Sequence, residues 1–500
     1  MNEVSTEAES NAVPTDDQLI AYLPALLYTG NRFERGLGIV CDHTGRITEI
    51  SREVGRIPNA IRLPDQAILP GMTNAHSHAF QRVIRGRTET RTGNAVGDNF
   101  WTWRTAMYTA ANLLSPEDIY DASRMAFLEM ALGGITSVGE FHYIHRASEG
   151  AAYDDPNLLA KEVVRAAREV GIRIGLLRTA YARSGFRKPL DYNQRRFIEP
   201  EPDIFIGNAE ALRRYLLREE AEGTAWLGVA PHSVRAVPLD YLREVFAYAD
   251  EHELPVHMHV AEQPAEVDAC IAEHGRAPVA LLDFEGLLSK RFTGVHAIHI
   301  SGAEARAFSD ASATVCACPT TERNLGDGIV MADLLLGHRN NVSIALGTDS
   351  HAQIDLLEDA RELEYHLRLQ KLERAVLPAH IEAWHFPQEM KRSPDVDLNG
   401  LARTLFACAT TSGARSIGAP GGDLEVGSPA DFFSVALNDV SVAGAGEEDL
   451  LASIVFSSSR AAVRTVVVGG VAIVQDGMHP AQEEIVARFC KLQNKLWRNA

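Results

Sequence analysis

The sequence predicts an α/β fold, a (β/α)8 TIM-like barrel with a small β-sandwich domain built from its N- and C-terminal segments. Three observations carry this. Strand-like and helix-like segments alternate eight times through the middle of the chain. Strand-only patterning flanks that stretch on both sides. Five side chains able to bind a metal or move a proton, His76, His78, His259, His296 and Asp349, each fall at the C-terminal end of a predicted strand. A chain of 500 residues suits one large barrel plus an appended domain.

Residues 1–16 are acidic and polar, with neither a basic start nor an apolar stretch, and read as a disordered tail rather than a signal peptide. Residues 17–70 read as short strands with a turn at Asp42-His43-Thr44-Gly45. The barrel is predicted over 71–417. Its strands centre on Ala67–Leu69, Ser137–Phe141, Arg173–Leu177, Trp226–Ala230, Val256–Val260, Thr293–His296, Thr314–Cys316 and Ser343–Leu346. The intervening segments carry helical patterning. One opens on Ser115-Pro116-Glu117-Asp118, a capping residue, a first-turn proline and early acids, and ends at Gly133. Residues 418–480 return to strands, Ala430–Val435 and Thr465–Val474, expected to pair with the N-terminal ones. Residues 481–500 close the chain with a helix over Glu483–Trp497.

Composition excludes several classes. Apolar content of 46% and charged content of 23% are those of an ordinary globular enzyme. The longest apolar run, Val466–Val474, has nine residues including Gly469 and Gly470, too short for a bilayer, so no membrane partner is expected. With 48 basic and 67 acidic residues the net charge is −19, which argues against nucleic acid and demands a local basic pocket for any anionic substrate. Six scattered cysteines without a secretory signal suggest reduced thiols and a cytoplasmic location. Cys316-Ala317-Cys318 has no second cysteine pair nearby and reads as a strand end.

In a barrel the C-terminal strand ends converge on one mouth, so residues distant in sequence meet there. His76 and His78 are spaced i, i+2 and share one face of their strand. His259 ends strand 5; His257 shares its face and competes as a ligand, but lies further from the strand end. Imidazoles with a carboxylate suit a catalytic divalent metal, which supplies hydroxide at neutral pH. Asp349 can ligate or accept the proton of water, and His296 can serve as general base or polarise the substrate. Glu262, three residues past His259, can pass a proton to a leaving nitrogen. Strand 4 ends in GVAPHSVR with no lysine to carry a bridging carbamate, which favours one metal over two. His252-Glu253 misses the zincin spacing, no PCxxC accompanies an HxE, and neither a Walker A sequence nor GxGxxG occurs.

At this point the chain resembles the amidohydrolase superfamily over roughly residues 17–480, in its mononuclear branch. Within it the chain is most similar to the formimidoylglutamate deiminases, on HSHAFQR, DNFWTWR, GEFHY, APHSVR, HVAEQ, CPTTERNLGDG and GTDSHAQIDLLEDARELEYHLRL. That resemblance implies hydrolysis of N-formimino-L-glutamate to N-formyl-L-glutamate and ammonia, a step of histidine degradation. It implies one divalent metal, zinc, held by His76, His78, His259 and Asp349, and catalysis by His296, Glu262 and Asp349. It implies that Gln81, Arg104, Tyr143, His232 and Arg235 contact the glutamate portion of a small anionic, amino-acid-derived substrate. Two substrate carboxylates would call for such arginine forks. Trp101 and Trp103 read equally as loop packing. The rival expectations are an N-guanidino-glutarate deiminase, a nucleobase aminohydrolase and a metal-free relative. A homodimer is expected. The basic segment Arg183, Arg187, Lys188 after strand 3 has no assigned role.

Overall fold

The computed structural model describes residues 19–498 apart from 31, 58, 92, 94–96, 189, 222, 338–339 and 379–398. The tail expected at 1–16 lies outside the described residues.

Eight parallel strands follow one another around the barrel: Met72–Ser77, Ile135–His142, Arg173–Ala180, Ala225–Pro231, Val256–Val260, Phe292–His296, Thr314–Ala317 and Ser343–Leu346. Each pairs with its sequence neighbour. The ring closes where the backbone beyond strand 8 meets strand 1. Asp349 N–H donates to the His76 carbonyl at 3.0 Å, and His78 N–H donates to the Asp349 carbonyl at 3.1 Å. Buried residues fill nearly every strand position, as expected of parallel strands covered by helices. Leu158–Val170 shows how one such helix is specified. Val163, Val164, Ala167 and Val170 recur on one buried face, and Gly171 ends the helix in the left-handed region at φ 87°. The helix expected from Ser115 runs over Pro116–Leu132, with Ser115 and Asp118 forming a capping box and Gly133 at its end.

One predicted strand is corrected. Ala67–Leu69 belongs to the strand Ile61–Pro70, which pairs with Phe432–Ala436 outside the barrel. Barrel strand 1 starts only at Met72. The apolar run is continuous from 67 to 72, but Pro70-Gly71 breaks it. Gly71 must be a glycine: a Cβ there would lie 2.2 Å from Thr136 Oγ1. The chain therefore crosses from one sheet to the other at this pair.

The terminal strands form one mixed sheet of eight strands, five N-terminal (Ile20–Tyr28, Phe33–Arg35, Gly38–Cys41, Ile47–Ser51, Ile61–Pro70) and three C-terminal (Phe432–Ala436, Val463–Val468, Val471–Val474). Hydrogen bonding runs unbroken through it, and it forms the small β domain expected from the two ends of the chain. One of its faces closes over Tyr22, Leu27, Ile39, Ile68, Phe432 and Val467. A buried ion pair fastens it to barrel strand 3, where Arg173 forks onto Asp431 at 2.6 and 2.9 Å. The expected C-terminal helix spans Gln482–Trp497 and lies along Pro116–Leu132, where Arg488 pairs with Asp121 at 2.6 Å. No described helix is long and apolar enough to cross a membrane.

Candidate functional site

The four residues expected as metal ligands meet at the barrel mouth. The ligand-type atoms of His76, His78, His259 and Asp349 all lie within 4.8 Å of one another, and all four residues are buried. Asp349 Oδ1 is 3.3 Å from His76 Nε2 and 3.2 Å from His78 Nε2. The imidazole tautomers are set from behind. His78 Nδ1–H donates to the Phe141 carbonyl at 2.8 Å, and His259 Nδ1–H donates to the His232 carbonyl at 3.2 Å. A carbonyl can only accept, so each Nε2 carries a lone pair. His259 Nε2 nonetheless faces His76 Nε2 at 3.1 Å. Burial holds His76 down at about 3 and His259 well below the ordinary histidine value, so both rings are neutral. Convergent lone pairs beside a carboxylate fit a cation. His257, the competing residue, instead places Nε2 2.8 Å from the Ser416 carbonyl, away from this group.

His296 stands at the edge of the cluster, its Nε2 3.8 Å from Asp349 Oδ2 and 3.6 Å from Glu262 Oε1. Its Nδ1 faces Glu322 Oε1 at 3.3 Å. Burial alone would lower its pKa. Glu262, the hydrogen bond to Glu322 and Asp349 reverse that and hold it well above the ordinary value. Burial pushes Glu262 up to about 7. Burial would raise the pKa of Asp349, but the imidazoles of His76 and His78 beside it outweigh that and hold it well below the usual carboxylate range. Several of these residues pay for their placement in backbone strain: Ala261, His296 and Asp349 have φ of 50°, 69° and 41° without being glycine. His296, Cys318 and Glu322 form a second buried group of ligand-type atoms. There Glu322 already accepts the Cys318 N–H at 2.9 Å.

A pocket opens above the four candidate ligands. Gln81, Arg104, Tyr143, His232, Arg235, Glu262, His296 and Asp349 all line it, together with His78 and His259. His76 lies beneath. Every residue expected at the site is thus in one place. Gln81 donates to Tyr143 OH at 2.8 Å. Burial keeps His232 well below its ordinary pKa, with Arg235 adding to the effect. Nη1 of Arg104 and both Nε and Nη1 of Arg235 are buried without a hydrogen-bond partner among the described residues. The aromatic segment before Arg104 is a helix start, not a loop. Asn99 caps Phe100–Leu113 in a capping box with Thr102, and Trp101 stacks on the Arg104 guanidinium at 4.4 Å. Trp103 lines the pocket.

Sequence reasoning missed Tyr108, Tyr181 and Glu322. Tyr108 and Tyr181 line the pocket, and Gln194 donates to their hydroxyls at 2.6 and 2.9 Å. Tyr181 directly follows barrel strand 3, so the strand-end rule would have found it. Glu322 sits inside the CPTTERNLGDG stretch. Arg183 gains a place: its guanidinium donates to the carbonyls of Arg235 and Val234 at 3.1 and 3.3 Å, bracing the loop that carries Arg235. Arg187 pairs with Glu273 at 2.8 Å.

A (β/α)8 barrel with three histidines and an aspartate converging at its C-terminal mouth defines the metal-dependent barrel hydrolases. Residues 67–473 match the amidohydrolase family, and the chain belongs to it. Among its relatives, the formimidoylglutamate deiminase of Pseudomonas aeruginosa is 38% identical over 431 residues, 86% of this chain and 89% of that protein. The 5-methylthioadenosine/S-adenosylhomocysteine deaminase of Pyrococcus abyssi is 26% identical over 89% of this chain and 92% of its own. The crystal structure of an amidohydrolase from Brucella melitensis superposes with a TM-score of 0.83 at 33% identity, covering 96% of this chain and all of that one.

Proposed function

We propose that the protein is a zinc-dependent formimidoylglutamate deiminase, hydrolysing N-formimino-L-glutamate to N-formyl-L-glutamate and ammonia. The observation that carries this reading is the pair of guanidinium groups, Arg104 and Arg235, with unpartnered nitrogens in the pocket that Glu262 and the metal group also line. A buried, unpartnered cation is costly, and a carboxylate fork satisfies it. The substrate has carboxylates at one end and a cationic formimino group at the other. The 38% identity to a protein of that activity supports the same reading.

His76, His78, His259 and Asp349 would hold a divalent ion, which would supply Lewis acidity and hydroxide at neutral pH. The protein's residues do the rest. Arg104 and Arg235 bind the carboxylates, with Gln81, Tyr143 and His232 completing the glutamate contacts. Asp349 takes one proton of the attacking water, and His296, held protonated between Glu262, Glu322 and Asp349 with its Nε2 3.8 Å from Asp349 Oδ2, polarises the substrate. The water oxygen bonds to the formimino carbon. Glu262, as a carboxylate, holds the cationic nitrogen; it takes the hydroxyl proton of the adduct as the carbonyl forms and hands it to that nitrogen, the carbon–nitrogen bond breaks, and ammonia leaves.

The nucleobase reading has one point in its favour, the aromatic lining of Trp103, Tyr108, Tyr143 and Tyr181. A neutral, planar substrate leaves both guanidinium groups unsatisfied. An ammonia-release assay decides the matter. N-formimino-L-glutamate should be turned over with the highest kcat/KM, ahead of N-guanidino-glutarate, guanine and cytosine. Preference for either nucleobase overturns the dicarboxylate reading, and preference for the guanidino compound moves the activity to its neighbour.

A further inference from the structure

A directed chain of side-chain hydrogen bonds runs behind the metal group, through residues with no place in the mechanism above. Its direction follows from backbone chemistry. Asn74 Oδ1 accepts the Thr348 N–H at 3.0 Å, so the Asn74 amide nitrogen is the atom 2.7 Å from Thr348 Oγ1 and donates to it. The Thr348 hydroxyl proton is left for His351 Nδ1 at 3.1 Å. Nδ1 accepts that proton, so the His351 ring carries its own proton on Nε2. Nε2–H then donates to Ser77 Oγ at 3.0 Å, and the Ser77 hydroxyl donates to Glu140 Oε2 at 2.5 Å. Glu140 Oε1 accepts the Ala79 N–H at 2.8 Å. All five side chains are buried, none more than 1% exposed.

The placement is what matters. Ser77 lies between ligands His76 and His78 and, by strand alternation, points to the opposite face. Thr348 and His351 flank ligand Asp349. Glu140 comes from barrel strand 2. The chain therefore pins three of the four ligand residues at the seam where the barrel closes. It does so beside left-handed backbone at Asp349 and His351, φ 41° and 58°. From behind, Arg82 donates to the His351 carbonyl at 2.6 Å and forks onto Glu129 at 2.8 and 2.6 Å.

We infer that Asn74, Thr348, His351, Ser77 and Glu140 are positioning residues that set the affinity and geometry of the metal site. The inference rests on the reading of His76, His78, His259 and Asp349 as ligands. Removing one link leaves a buried donor or acceptor unmatched beside a ligand, and partners of this kind typically change metal affinity about 10- to 100-fold.

The test uses Ser77→Ala, Glu140→Gln and Thr348→Val in the full chain, loaded with zinc or with cobalt(II). Two readouts are taken, the rate of metal loss to a chelator and the visible absorption of the cobalt(II) form. Each variant should lose metal about 10- to 100-fold faster than the wild type, with shifted cobalt bands. Circular dichroism and the melting temperature of the metal-free proteins report folding separately. A lower melting temperature with wild-type metal loss and an unchanged cobalt spectrum would make the chain merely structural and overturn the inference. Three links are tested, so a variant that does not fold leaves the other two to decide. If the wild type itself retains no metal, the ligand reading fails first; if it does and the folded variants behave like it, only the positioning role fails.

Discussion

Arg104 and Arg235 are each half of an interaction. Nη1 of Arg104 and Nε and Nη1 of Arg235 are buried and find no hydrogen-bond partner among the described residues. Arg104→Met and Arg235→Met should each lower kcat/KM for the dicarboxylate substrate, on the order of 10²-fold for a lost charge-assisted contact, with metal content unchanged. Wild-type kinetics in both variants would make a neutral substrate the better reading. Glu262 poses a different question, because Gln keeps its size and removes its proton chemistry. The expected result for Glu262→Gln is intact metal and inhibitor binding with kcat reduced at least ~10²-fold, the lower end for general acid–base catalysis. A variant with near-normal kcat would take Glu262 out of the mechanism and leave both proton transfers to His296 and Asp349.

Among the secondary-structure elements, the seam between barrel strands 8 and 1 bears most directly on the site. Gly347 follows strand 8, and a Cβ there would stand 2.7 Å from His76 Cβ and 2.9 Å from the His76 carbonyl oxygen. Gly347→Ala must push the two strands apart at a ligand. It should cost about 1–3 kcal/mol in stability, as overpacking does, and weaken metal retention as well. Gly207 is the control. It lies inside helix Pro202–Glu219 with nothing within 4 Å of its Cβ position. Gly207→Ala should raise stability by about 0.5–1 kcal/mol and leave metal binding alone. Denaturant melts with metal analysis separate the two. Equal effects from both glycines would show that the close approach at Gly347 is not limiting.

At the scale of the whole molecule the metal group joins strands 1, 5 and 8, which are far apart in sequence. An ion that binds only the folded chain stabilises it by mass action, about 2.7 kcal/mol at a hundred times its Kd. Stripping the protein with a chelator should lower its melting temperature, and adding zinc back should restore it at about one metal per chain, the stoichiometry of a single catalytic site. Two metals per chain, or a melting temperature indifferent to the chelator, would contradict a single structural and catalytic ion.

The meeting of the four candidate ligands, His296 and Glu262 at one mouth was legible in sequence because strand ends are local. Alternation puts His76 and His78 on one face, and a barrel brings every such end to one mouth. The arginines became legible only inside quoted motifs, since an arginine alone is usually a surface charge. Pro70-Gly71 carried the signal that separates the two sheets, yet periodicity alone ran through it. Tyr108 with Gln194, Glu322 with His296, and the chain from Asn74 to Glu140 have no local signature. Each is a contact between elements distant in sequence, made by side chains whose residue types are common everywhere. Sequence by itself determined which chemistry gathers at the barrel mouth, because the repeating β/α unit places strand ends together whatever the details. Tertiary structure alone decided which polar groups behind that mouth face one another, because hydrogen bonds depend on distances of a few tenths of an ångström that no residue pattern encodes.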